Sequence, residues 1–154
     1  MKVWPSVASK SHTFYLIMAY LPQSTILGRL KTIEVYEFYD IPRLFSCRNA
    51  AGQHYLVLSI DEDDFSQTWL YVAMSQQRFQ ELRRGRLELR EAYLKAEDNI
   101  VLKVITHQDG YDTVDLVYCQ ALPEDWLPCA GEFLSPSDTT VTQNEDMYLL
   151  AQYH

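Results

Sequence analysis

The stretch from Ile33 to Met74, IEVYEFYDIPRLFSCRNAAGQHYLVLSIDEDDFSQTWLYVAM, leaves this chain little freedom in how it folds. It holds four runs dense in β-branched and aromatic residues: Ile33–Tyr39, Arg43–Arg48, His54–Ile60 and Thr68–Met74. Such residues suit a pleated, half-buried surface. Only short polar breaks separate the runs: Asp40-Ile41-Pro42, Asn49–Gln53 with Gly52 free to take positive φ, and Asp61–Ser66. A parallel crossover needs a dozen or more residues, so connections this short impose an antiparallel meander. Pro42 fixes its own φ and lacks an N–H, which predicts that the first strand stops there. His54–Ile60 is apolar at most positions, which predicts a strand covered on both faces.

Beyond Met74 the period changes. Ser75 is placed to cap a helix from Gln76 to Arg84, with Phe79 and Leu82 three apart on one face and Gly85 as its stop. A second helix is expected from about Glu88 to Ala96, with Leu89, Ala92 and Tyr93 inward. Ile100–Thr106 alternates as a strand, Gln108-Asp109-Gly110 is hairpin chemistry, and Tyr111–Gln120 returns as a sixth strand. Pro123–Pro128 reads as one helical turn carrying Trp126 into the core edge. The expected fold is α+β: an antiparallel sheet of about six strands, made of a meander of four, two short helices and a two-strand hairpin.

The ends differ in composition from this middle. Residues 1–17 read as an N-terminal extension or arm, and Met18 opens a second plausible start. Residues 18–130 read as a single α+β domain, in which Ser24 or Thr25 would cap a short turn ending near Gly28. Residues 131–154 read as an acidic, Ser/Thr/Gln-rich tail that could repay little ordering entropy. Phe14–Leu21 is apolar, but far too short to span a bilayer, and no A-x-A-like cleavage site follows it.

Charge and cysteine usage narrow the function classes. A net charge of −8 argues against general binding to nucleic acid or anionic lipid. The one basic segment, Arg78, Arg83, Arg84, Arg86 and Arg90, is interleaved with Glu81, Glu88 and Glu91, the pattern of a solvated helical face. Cys47, Cys119 and Cys129 form no C-x-x-C cluster, and an odd count gives no disulfide framework; a reducing, cytoplasmic setting follows as the expectation. The four histidines are scattered, no G-x-S-x-G is present, and Asp61–Asp64 lacks the spaced ligands and glycine of a calcium loop. No cofactor or metal is expected.

Four blocks carry a resemblance: Tyr36–Asp40 (YEFYD), Pro42–Asn49 (PRLFSCRN), Thr68–Val72 (TWLYV) and Asp125–Pro128 (DWLP). Together they resemble a family of small uncharacterised bacterial proteins, a domain of unknown function, over roughly Leu21 to Pro128. The resemblance implies a bacterial cytoplasmic origin and similar boundaries. It implies no activity, cofactor or catalytic residue.

Candidate binding residues therefore come from side-chain chemistry alone. Tyr39, Asp40, Arg43, Arg48 and Asn49 gather near the first two runs. Guanidinium forks beside aromatic faces suit carboxylate or phosphate recognition. The alternative is internal, with Arg43 clamping Asp40 across the hairpin. The eleven tyrosines and three tryptophans join apolar area to a polar tip, and such residues concentrate at interfaces. The reading that follows is a non-enzymatic protein-interaction or regulatory module, acting on a protein partner or as a homodimer. The alternative reading is a nucleotide- or phosphate-binding protein, or an enzyme of unrecognised type, using Tyr39, Arg43 and Arg48.

Overall fold

Chain order and sheet order coincide. In the computed structural model, which describes residues 21–22, 26–39 and 41–134, six strands lie side by side as β1-β2-β3-β4-β5-β6, each antiparallel to the next. The strands are β1 (Leu30–Tyr39), β2 (Ile41–Asn49), β3 (His54–Glu62), β4 (Ser66–Met74), β5 (Ile100–His107) and β6 (Asp112–Tyr118). Helices α1 (Gln76–Arg83) and α2 (Leu89–Leu94) are inserted between β4 and β5. Two single 3-10 turns, Cys119–Ala121 and Glu124–Trp126, follow β6. This is the expected α+β meander, helices and hairpin. The expected N-cap at Ser24 or Thr25 lies outside the described residues.

Pro42 does not stand outside the strands; it is the second residue of β2, opposite Phe38. Two features accommodate it. Pairing of β2 with β3 begins only at Leu44, so residue 42 has no ladder to serve on that side. On the β1 side the register shifts between Glu37 and Phe38. Two further shifts, around Ile33 and Tyr36, make β1 an irregular edge, whereas β6 pairs with β5 without a break.

Two apolar layers result from alternation along the strands. On one face, Leu44, Leu56, Leu70, Val72 and Met74 meet Phe79 and Leu82 of α1 and Leu89, Ala92 and Tyr93 of α2. The other face is built from Val35, Phe45, Cys47, Tyr55, Val57, Trp69, Tyr71 and Val104, with Leu27 and Leu30. β3 contributes Leu56 to the first layer and Tyr55 and Val57 to the second, so it is covered on both sides as its composition requires. Trp126 packs at the margin of the helix-side layer under Lys103. Among the described residues no helix is long and apolar enough to cross a membrane.

The helices are fixed by their ends. Ser75 accepts a hydrogen bond from the Arg78 N–H at 3.2 Å, and Gly85 takes φ +72 just past α1. Chain beyond Ala130 packs as well. The Leu89 N–H donates to the Glu132 carbonyl, the Gly131 N–H donates to the Glu88 carboxylate, and Leu134 is buried in the helix-side layer.

Candidate functional site

Arg43 and Arg48 do not converge. They are five positions apart on β2, an odd separation, which on a pleated strand sends them to opposite faces. At about 3.3 Å per residue they are also separated by roughly 16 Å along the strand. Arg43 sits near the turn, where its Nε donates to the Tyr39 carbonyl at 3.1 Å and its guanidinium pairs with Glu62 at 2.9 Å. The Gln67 amide, and then Arg43, hold the Glu62 carboxyl below its usual range. Tyr39 is 73 % exposed. Asp40 lies outside the described residues. Asn49 serves the backbone: its amide donates to the Leu27 carbonyl at 3.0 Å and accepts from the Gln53 N–H at 2.9 Å, closing the β2–β3 turn.

Arg48 belongs to a different constellation. It pairs in register with Lys31 of β1 on one side and His54 of β3 on the other. Like charges directly opposite each other on neighbouring strands are unfavourable, with side chains about 5 Å apart at their bases. Among the described residues Arg48 forms no ion pair. The His54 ring stacks on Phe79 of α1 with centroids 4.6 Å apart. Burial, and then the charge of Arg48, lower the His54 pKa. The nearby carboxylate of Glu34 is already committed: Arg83 of α1 grips it at 2.8 and 3.2 Å, and the Tyr36 hydroxyl donates to it at 3.2 Å.

The basic segment is largely occupied within the protein. Arg78 donates to the Glu91 and Lys95 carbonyls and so caps the end of α2. Arg90 joins the Pro128 carbonyl and the Glu124 carboxylate. Asp63 folds back on its own loop, accepting from the Phe65 and Ser66 N–H groups at 2.8 Å. Burial holds the Cys47 thiol far above its usual range, which suits an inert packing group.

Among the described residues, the least guarded sheet edge is that of β6. Natural sheet edges are blunted by bulges, prolines, lysines or a covering element. β1 has its register shifts; β6 has seven regular pairs and no Pro, Lys or Arg. The His107 N–H donates to the Tyr111 carbonyl, and the Cys119 N–H to the Asn99 carbonyl, in the register that pairs β5 with β6. Alternation then turns the odd-numbered residues of β6 toward β5, and the backbone groups of Val114, Leu116 and Tyr118 outward. The side chains of these three share the face that carries Trp69 and Tyr71, because Val114 is paired with Val104 and Leu116 with Leu102. Burial fades along that face: Val57 and Tyr71 are covered, while Leu116 is 54 % and Tyr118 61 % exposed. Sequence reading located β6 but not its openness, since alternation alone does not say which strand ends the sheet.

No curated protein and no solved structure matches this chain. A family model does, across residues 18–151, from Met18 to beyond Leu134, the last described residue. The chain therefore belongs to DUF6575, a family of unknown function.

Proposed function

We propose that the protein is a non-enzymatic interaction module whose working surface is the open edge of β6, and that the strand added there comes from a second copy of the chain. One observation carries this reading: the outward backbone positions of β6 carry apolar side chains, with Leu116 and Tyr118 exposed and Val114 half-buried beside them. Strand addition uses main-chain hydrogen bonds for affinity and alternate side chains for specificity.

A second β6 fits without charge conflict in one antiparallel register. With Leu116 on the two-fold axis, Val114 of one copy faces Tyr118 of the other, and all three outward positions exchange hydrogen bonds. Asp115 then lies opposite Val117 and not opposite itself. The exposed row continues across the axis as one apolar face, and the dimer becomes a single twelve-stranded sheet.

The test is light scattering on the full chain at about 100 µM, with variants Leu116→Lys and Leu116→Pro. Lysine is an edge-blunting residue, and proline removes an outward N–H that β5 does not use. The expected result is a dimeric wild type and monomeric variants whose far-ultraviolet spectra are unchanged. A monomeric wild type, or dimers that ignore both substitutions, would overturn the reading.

A second reading, recognition of a small phosphate-bearing ligand, is favoured by a separate observation: among the described residues Arg48 forms no ion pair.

A further inference from the structure

We propose that the hairpin end of the sheet, where Tyr39, Phe65 and Tyr111 stand exposed among carboxylates, docks an arginine-rich segment of a partner protein. Alternating strand direction brings three turns to that end: the β1–β2 turn after Tyr39, the β3–β4 turn that carries Phe65, and the β5–β6 turn that carries Tyr111. The surface lies at the strand ends and needs no pairing along the flank of β6.

Three observations set this end apart from an ordinary solvated rim. First, each turn presents an aromatic residue that is more than half exposed: Tyr39, Phe65 and Tyr111. One such ring needs no explanation, but three at one end form a row. Strands lie about 4.8 Å apart, so successive turns are about 10 Å apart and the row is about 20 Å long. Second, the turns are tied to one another. Arg43 donates to the Tyr39 carbonyl and pairs with Glu62 beside the next turn. The Gln108 N–H donates to the Phe65 carbonyl at 2.8 Å. Asp63 accepts from the Phe65 and Ser66 N–H groups and fixes the turn that displays Phe65. The Tyr111 ring is stacked on His107 with centroids 4.0 Å apart. Phe65 and Tyr111 are thus positioned before a partner arrives, which lowers the ordering cost of binding. Third, the charge is one-sided. Among the described residues of the three turns, Asp61, Glu62, Asp63, Asp64, Asp109 and Asp112 stand against one arginine, Arg43. Glu62 and Asp63 are engaged internally, whereas the side chains of Asp64 and Asp109 form no hydrogen bond or ion pair among the described residues.

The chemistry of the row selects the partner. An aromatic face attracts a cation, and a carboxylate beside it accepts the N–H fork of a guanidinium. Arginine meets both with one side chain, its plane on the ring and its edge toward the carboxylate, while lysine offers a point charge only. An extended chain advances about 3.3 Å per residue, so about six residues follow the row. The overall charge of −8 draws such a segment in at long range. The same carboxylates repel nucleic acid and an anionic bilayer.

The experiment is fluorescence anisotropy of labelled hexa-arginine titrated with the full chain at about 50 mM salt, with hexa-lysine and hexa-glutamate as comparisons. The expected result is saturable binding of hexa-arginine, weaker binding of hexa-lysine and none of hexa-glutamate. Phe65→Ser/Tyr111→Ser keeps every charge and is expected to weaken binding about tenfold, with each single variant about threefold. Asp64→Asn/Asp109→Asn is expected to weaken it as well. Asp125→Asn/Glu132→Gln makes the same change in charge on the chain that packs beside α2, and is expected to leave binding unchanged. Melting temperatures of the ring variants are expected to match the wild type, and the two single variants keep the test decisive if one replacement lowers its own. The proposal is overturned if hexa-arginine does not bind or if the ring variants bind it as the wild type does. It is also overturned if the two charge variants weaken binding equally, which would reduce the effect to net charge. Ring-dependent binding to phosphatidylglycerol vesicles, with hexa-arginine ignored, would assign the rings to a bilayer and overturn it too.

Discussion

At the scale of single residues, the buried polar groups decide which side chains the fold can spare. Glu34 is 4 % exposed and yet carries a formal charge, offset by a two-pronged contact from Arg83 and by the Tyr36 hydroxyl, which is itself in contact with Ser46. Removing Arg83 strands that carboxylate away from water, whereas removing both charges does not. Since the Arg83 side chain is itself 42 % exposed, its pairing is partly screened. Arg83→Ala is expected to cost about 2 kcal/mol in urea unfolding, less than a fully buried pair would. The double variant Glu34→Gln/Arg83→Ala is expected to recover part of that loss, and equal losses would show that Arg83 acts through packing alone. None of this was readable from the chain, because Glu34 meets Ser46 only through a bulge at Ile33. The divergence of Arg43 and Arg48 was readable: an odd separation on a strand already puts two side chains on opposite faces.

At the scale of elements, the helices and turns were the most legible part. Ser75, Gly85 and Gly110 each carry a local rule that needs no tertiary context: a side-chain cap and two positive-φ stops. Ser75→Ala is expected to lower stability by about 1 kcal/mol through the lost cap. Gly85→Ala is expected to cost more than a helix stop alone explains. The residue has φ +72, and an added Cβ would stand 2.6 Å from the Leu134 carbonyl oxygen. The expected signature is a melting loss larger for Gly85→Ala than for Gly110→Ala, which has φ +100 and no atom within 4 Å of the added Cβ. Equal losses would mean that the Leu134 segment gives way freely. Strand existence was legible from composition. The position of Pro42 within β2 was not, because tolerance for proline depends on where neighbouring ladders end, a property of pairing and not of local sequence.

At the scale of the whole molecule, the helix-side layer is completed by residues far from the meander in sequence. Leu134 closes over Gly85, and Glu132 takes the Leu89 N–H. A chain ending at Ala130 is therefore expected to be less stable than one ending at Leu134, by about 2 kcal/mol for one buried leucine and its neighbours. Chemical denaturation of the two truncations measures the difference, and coincident curves would remove Leu134 from the core. The composition change after Gly131 did not mark this segment, because two or three residues can dock without any periodic pattern. The sheet order has its own consequence for how the molecule forms. Every strand pairs with the strand before it, so five of five ladders join chain neighbours, and only the β4–β5 ladder must close over an inserted helical segment. Loop closure is cheap at these separations, and topologies rich in sequence-local pairing fold faster than sandwiches or barrels of similar size. The same order also lets the sheet assemble hairpin by hairpin as the polypeptide leaves the ribosome, with β6, the last strand of the described sheet, arriving last.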